Sequence, residues 1–208
     1  MFEAFGRKIP VTTADLLREP CALVVWDMQE GISRAATNFQ ALTANIPRLT
    51  HAARGRGWPV VYSQHFSIPI EHEDRPTLRT LWQRAGEDTG KLKSVFPAGS
   101  AGWQFTPETA PIESDVVLAK RRASFFEGSA FRALLAGRNI DVIVLTGVAT
   151  DRGILSTARE AAFRGLFTVV VNDAVGSHSD SAQEQGLKDL AAISSTCTTD
   201  EVLAAWTT

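Results

Sequence analysis

Cysteine is scarce in this chain of 208 residues, which has only Cys21 and Cys197. Two thiols at opposite ends of the sequence exclude a disulfide framework, and the expected setting is a reducing, cytoplasmic one. Neither lies in a redox or metal-binding motif, so both read as small buried hydrophobes. A surplus of one charge is also missing: 21 Lys and Arg stand against 23 Asp and Glu, a formal net charge of -2. Without a basic footprint, nucleic acid is not an expected partner. No apolar run approaches the roughly 20 residues that cross a bilayer, so no membrane association is expected. The opening MFEAFGRKIPVTTADLLREP has no continuous apolar stretch of signal-peptide type. Residues 1–20 read as an N-terminal surface arm on one domain spanning 1–208. Internal repeats and low-complexity tracts are absent.

What the chain does have is alternation. Short apolar runs rich in β-branched residues occur at 21–26, 59–63, 115–119, 141–147 and 167–173, with a possible sixth at 194–199. Helical periodicity fills 38–57, 128–139, 154–165 and 181–193. Strands apolar on both faces, alternating with helices, predict a three-layer α/β/α fold around a mainly parallel sheet of about six strands. Residues 66–114, rich in Pro, Gly and charge, read as a long irregular excursion of the kind that lines sites.

In such a sheet, ligands bind beyond the carboxyl ends of the strands. That rule selects Asp27 in VVWDMQ, Lys120 in VVLAKRR, and the turn TGVATDRGIL at 146–155. The turn leads into a helix N-terminus, a receptor for an oxyanion or carboxylate. Each feature alone fits an ordinary cap or ion pair. Their convergence on one sheet edge points to a catalytic Asp–Lys pair.

The ordered blocks ALVVWDMQ, KRRASFFEGSAF and VLTGVATDRGILSTAREAAFRG resemble those of the isochorismatase-like hydrolase superfamily, from about Cys21 to Glu201. Its cysteine hydrolases use an Asp–Lys–Cys triad. By position Asp27 and Lys120 match the first two members, and the third falls on Gly153. Glycine has no side chain with which to attack a carbonyl. The resemblance is therefore to the thiol-free isochorismatases, in which the Asp protonates the vinyl carbon of an enol ether. That role implies a carboxylic acid whose pKa an apolar pocket would raise. Gly153 would leave room for substrate, and Ser156 and Thr157 read as helix-face residues.

The same resemblance places substrate contacts at Arg75 and Trp82 in HEDRPTLRTLWQ, and at Gln64 or His65 in VVYSQHF. A bidentate Arg would hold a carboxylate. The alternative for Arg75 is an ion pair with Glu71 or Asp74 on a solvated helix. The family's non-proline cis peptide falls at Val148–Ala149, and would aim the Ala149 and Gly153 N–H groups at a substrate oxygen. Departures from isochorismatases include GVATD in place of a Tyr-containing turn, and Arg121 in place of a Trp. The function implied is hydrolysis of a small anionic substrate, with a vinyl ether such as isochorismate first. The alternatives are an amide attacked by water that Asp27 activates, and a non-catalytic binder of small acids or of a partner. The cluster His65, Glu71, His72, Glu73 and Asp74 lacks ligand spacing, and His51 and His178 read as structural or solvent-facing. No metal and no cofactor are expected. The resemblance also implies a homodimer or higher homo-oligomer.

Overall fold

A computed structural model describes residues 1–207. The N-terminal arm is ordered as a hairpin, β1 (Phe2–Ala4) and β2 (Arg7–Ile9), whose turn residues Phe5 and Gly6 both have positive φ. A short helix, α1 (Thr13–Leu16), follows, closed by a reciprocal cap between Thr12 and Asp15.

The sheet begins with β3 (Cys21–Trp26), whose six residues are all buried. Then come α2 (Glu30–Ser33), α3 (Phe39–Gly55) and β4 (Val60–His65). The excursion at 66–114 is not wholly irregular: it holds α4 (Arg75–Arg84) and several single 3-10 turns. Asp74 starts α4 by accepting the Thr77 N–H at 2.9 Å, and Pro76 occupies the first turn, where its missing N–H is harmless. The remaining elements are β5 (Val116–Lys120), α5 (Phe131–Gly137), β6 (Val142–Val148), α6 (Leu155–Phe163), β7 (Phe167–Gly176), α7 (Asp180–Ala191), β8 (Ser195–Cys197) and α8 (Thr199–Trp206).

The six central strands run in the order β5-β4-β3-β6-β7-β8, every neighbouring pair parallel. Period-two alternation divides β3 between two cores. Cys21, Leu23 and Val25 pack with Leu42, Ile46 and Leu49 of α3 and Val202 and Trp206 of α8. Ala22, Val24 and Trp26 pack with Phe131 of α5, Ala158 of α6 and Leu190 of α7. Each fully buried Val, Leu or Ile contributes roughly 1.5–3 kcal/mol, so the sheet's apolar runs are what hold the three layers together. The connections proceed outward from β3 in one direction and from β6 in the other. The strand order therefore reverses between β3 and β6, where an open α/β sheet leaves a crevice at its carboxyl edge.

Candidate active site

The crevice is built from the ends of four strands. Asp27 follows β3 and turns at once, with φ +42 and a Gln29 N–H to Asp27 C=O bond of 2.7 Å. Left-handed backbone is uncommon outside glycine and is tolerated by Asp better than by most residues. Lys120 ends β5 and is 3% exposed; its Nζ donates to Asp27 Oδ2 at 2.6 Å. Ser63 of β4, between them, donates to Asp27 Oδ1 at 2.6 Å and accepts the Asp27 N–H at 3.0 Å. Both carboxylate oxygens thus receive a donor, one of them an ammonium.

This corrects the expectation of an apolar pocket around Asp27. The carboxylate meets two hydrogen-bond donors, one of them charged.

The turn after β6 forms the facing wall. The Val148–Ala149 peptide is cis, and Thr150–Ile154 form a single π-helical turn that enters α6. Both glycines of the turn accommodate Trp26, the residue before Asp27. A Cβ on Gly147, whose φ is +102, would stand 2.6 Å from the Trp26 backbone N and clash with its C=O. A Cβ on Gly153 would enter the Trp26 indole, 2.6 Å from Cζ2 and nearer still to Nε1. Gly153 therefore does not leave space for substrate: the indole already fills it. Thr157 is also more than a helix-face residue, since it is buried and donates to the Gly153 C=O at 2.7 Å while accepting the Phe125 N–H at 3.2 Å. That bridge joins the turn to the loop after Lys120.

A cavity of about 530 Å³ opens over these groups. Asp27, Lys120, Val148, Ala149 and Gly153 line it, as do His65, Arg84, Arg121, Arg122, Arg152 and His178. A second concavity of about 560 Å³ continues outward and shares His65, Arg84, Phe96, Arg121 and Arg122 with it. Asp27 is the cavity's one carboxylate, against one lysine and four arginines. Arg121 pairs with Glu73, Arg122 with Asp74 at 3.0 Å, and Arg152 with Asp151 at 3.4 Å. Arg84 makes no ion pair among the described residues, which leaves its charge for a ligand. Such a surface suits an anion.

The expected substrate contacts divide. His65 lines the cavity, and burial, followed by the Lys120 charge, holds its pKa below the usual histidine value. Gln64 turns inward and donates to the Trp103 C=O at 3.2 Å. Arg75 and Trp82 are absent from the cavity lining; Arg75 opens instead on a separate outer concavity with Leu78 and Arg79. The reason is helical geometry. At about 100° per residue, positions 75 and 82 share one face of α4, whereas 75 and 84 lie on opposite faces. The inward face presents Arg84. Asp74 spends its charge on Arg122 rather than on Arg75.

Residues that pattern reading passed over include Ser63, Trp26, Arg84 and Gln29. Gln29 is fully buried and donates to the carbonyls of His65 (3.0 Å) and Trp103 (2.8 Å), while its Oε1 accepts the His65 N–H at 2.7 Å. It fastens the excursion to the sheet edge. The available signal was a Gln two residues beyond a strand-terminal Asp, a polar group that needs partners where the chain is buried. Among the described residues, no group of three or more His, Cys, Asp or Glu is placed to hold a metal ion, and no helix is long and apolar enough to cross a membrane.

A six-stranded parallel sheet with an Asp–Lys pair at its switch point defines an α/β protein with a polar site at the sheet's carboxyl edge, and the comparisons give it a family. The isochorismatase domain matches residues 21–201, and the chain belongs to that family. It is 37% identical over 185 residues to YwoC, an uncharacterized isochorismatase family protein of Bacillus subtilis, covering 86% of this chain and 89% of that one. It is 31% identical over 177 residues to the ureidoacrylate amidohydrolase RutB of Cronobacter turicensis, covering 75% and 74%. A match to an Arthrobacter N-carbamoylsarcosine amidase, at 24% identity, covers 78% of this chain but only 60% of that protein's length. Among solved structures, an isochorismatase family protein from Burkholderia thailandensis superimposes with a TM-score of 0.73 at 29% identity, covering 97% of this chain and all of that one. The chain is an isochorismatase-family hydrolase.

Proposed function

We propose that this chain hydrolyses a small anionic substrate by acid/base chemistry at Asp27 and Lys120, with no covalent intermediate. The observation that carries this reading is the Trp26 indole in the space beside Gly153, where a nucleophilic side chain would have to stand. The reaction that fits best is cleavage of a vinyl ether bearing a carboxylate. Lys120, hydrogen-bonded to Asp27 Oδ2, supplies the proton that Asp27 delivers to the terminal vinyl carbon. Water adds to the resulting oxocarbenium carbon and gives a proton back to the Asp27–Lys120 pair. The hemiketal then collapses to an alcohol and a 2-oxo acid, its hydroxyl proton passing to the leaving oxygen. Arg84 holds the substrate's carboxylate, and the backbone of the Val148–Gly153 turn faces the leaving oxygen, where negative charge develops as the hemiketal collapses.

A second reading, direct attack of Asp27-activated water on an amide or ureido carbon, is favoured by one observation. Asp27 accepts two short hydrogen bonds, from Ser63 and Lys120, which fix the orientation of its carboxylate at the cavity wall. The amidohydrolases among the relatives support the same reaction class.

The deciding experiment incubates purified protein with isochorismate and, separately, with a panel of ureido and carbamoyl acids. The expected result is pyruvate from isochorismate, abolished in Asp27→Asn and untouched by iodoacetamide. Ammonia from the panel without pyruvate moves the assignment to C–N hydrolysis. Neither product, with both substrate sets present in excess, removes the catalytic reading.

A further inference from the structure

Trp26 carries no titratable atom, yet it lines the cavity beside Asp27 and Gly153. It is 1% exposed and sits at the meeting point of three features. Its ring lies under the Lys120 ammonium, 4.3 Å from Nζ to the ring centroid. Its edge meets Phe125, with centroids 5.3 Å apart and planes at 80°, and Phe125 is in turn stacked on Phe131 at 4.4 Å. Its Nε1, Cε2 and Cζ2 fill the volume that a Cβ on Gly153 would need. With two aromatic rings behind it, the indole cannot swing aside as the end of a flexible chain would.

We infer that Trp26 is a positioning residue that holds Lys120 against Asp27 through its ring face, and that Trp26 and Gly153 form one steric unit closing the site to a side-chain nucleophile. The cation–π contact is buried, where such contacts are strongest, and it orients the same ammonium that meets Asp27 Oδ2 at 2.6 Å. The site's thiol-free character therefore resides in Trp26 as much as in Gly153. Restoring a cysteine alone leaves it nowhere to stand. Cutting back the indole as well opens a space that borders the Lys120 ammonium, and a thiol placed there loses its proton readily. This holds whichever bond the enzyme cleaves.

The test needs no substrate. Wild type, Gly153→Cys, Trp26→Leu and the double variant Trp26→Leu/Gly153→Cys are treated with iodoacetamide between pH 6 and 9, and the alkylated peptide is mapped by mass. In this reaction the thiolate sulfur displaces iodide from the probe carbon. The background is clean, because Cys21 and Cys197 are both buried; burial pushes the Cys21 thiol well up and the Cys197 thiol up to about 12. The double variant is expected to be alkylated at position 153 at least roughly tenfold faster than Gly153→Cys. Its pH midpoint should fall below the free-thiol value of about 8.5. Equal rates in the two variants, a folded double variant that stays unlabelled, or a midpoint at or above that value overturns the inference.

If the cysteine variants do not fold, thermal melts of Gly153→Ala in the wild-type and Trp26→Leu backgrounds decide. The added methyl should lower Tm by roughly 5 °C in the first, as overpacking does, and by less than half of that in the second. The same loss in both backgrounds overturns the steric unit.

Discussion

The two walls of the active-site cavity are built on different principles. The inner wall, with Trp26, Asp27, Ser63, Lys120 and Gly153, is set by the sheet. Parallel register places Trp26 opposite Gly147 and His65 opposite Lys120, so Trp26, Ser63 and Lys120 take their positions from strands, with Asp27 directly after β3 and Gly153 in the turn after β6. The outer wall is α4 and the excursion around it, none of whose α4 residues is fully buried. It is tied down by side chains: Glu73 to Arg121, Asp74 to Arg122, and Gln29 to the Trp103 carbonyl. The difference is one of energy scale. A buried ion pair broken on one side costs about 3–5 kcal/mol, whereas a partly exposed one contributes about 0–1 kcal/mol. Under the proposed function, proton transfer lies in the more firmly held wall and anion recognition in the more loosely held one.

The strongest way to break the inner wall is to leave one of its charges alone. Lys120→Met strands the Asp27 carboxylate, which is 8% exposed, without its counter-charge. Urea unfolding is expected to show a loss of about 3 kcal/mol. Adding Asp27→Asn should return a large part of it, because the double variant buries no net charge. Simple additivity of the two losses would mean that the pair is not coupled as its 2.6 Å geometry requires. In activity, Asp27→Asn alone should lower kcat by about 10²–10⁴, the range for removing a proton-transfer group.

The outer wall should answer more weakly and on a different axis. Glu73 is 3% exposed at its side chain, and it is the carboxylate that meets the half-buried Arg121, whose Nε has no partner. Glu73→Gln is expected to cost roughly 1 kcal/mol of stability. Its larger effect should be on KM, since α4 and Arg84 lose their hold over the cavity while Asp27 and Lys120 stay in register. Steady-state kinetics showing kcat reduced in step with an unchanged KM would contradict the division between the two walls.

The same division governs what could be read from sequence. The inner wall was legible because a sheet converts local pattern into position. Apolar runs ending in Asp27, Lys120 and Gly147 mark strand ends, and strand ends in an open parallel sheet mark the site. The sixth strand and helices α3, α5, α6 and α7 follow from the same periodicities, whereas α8 (Thr199–Trp206) was not read from them. Arg75 and Trp82 were misplaced because their role rested on likeness at seven-residue spacing, while the rotation of α4 is fixed by ion pairs across 48 positions of sequence, which no local pattern reveals. Trp26 was missed for another reason. An indole at the end of an apolar strand is ordinary core, and only its meeting with Gly153, on a different strand connection, gives it meaning.

The smallest expected effect separates the walls by pH. His65, between the two, has its pKa held below the usual value near 6.5 chiefly by burial and next by the Lys120 charge. The unfolded chain therefore binds a proton at His65 more readily than the folded one does. Stability contributed by the neutral ring is complete above about pH 6.5 and declines as pH falls below it, until the folded protein also takes up the proton. Asp74 acts in the same sense but in a lower pH window. The Thr77 backbone N–H first, then the Thr77 side chain and Arg122, lower its pKa to about 2. Its share, the cap of α4, persists through mild acid and is lost only between about pH 4 and pH 2. Urea unfolding at pH 7.5 and 5.5 should thus reveal a decline no steeper than the one-proton limit of about 1.4 kcal/mol per pH unit. His65→Gln should flatten it and Asp74→Asn should leave it unchanged. A slope carried instead by Asp74→Asn would place the mildly acid-sensitive joint in the outer wall, and the ordering argued from burial would be reversed.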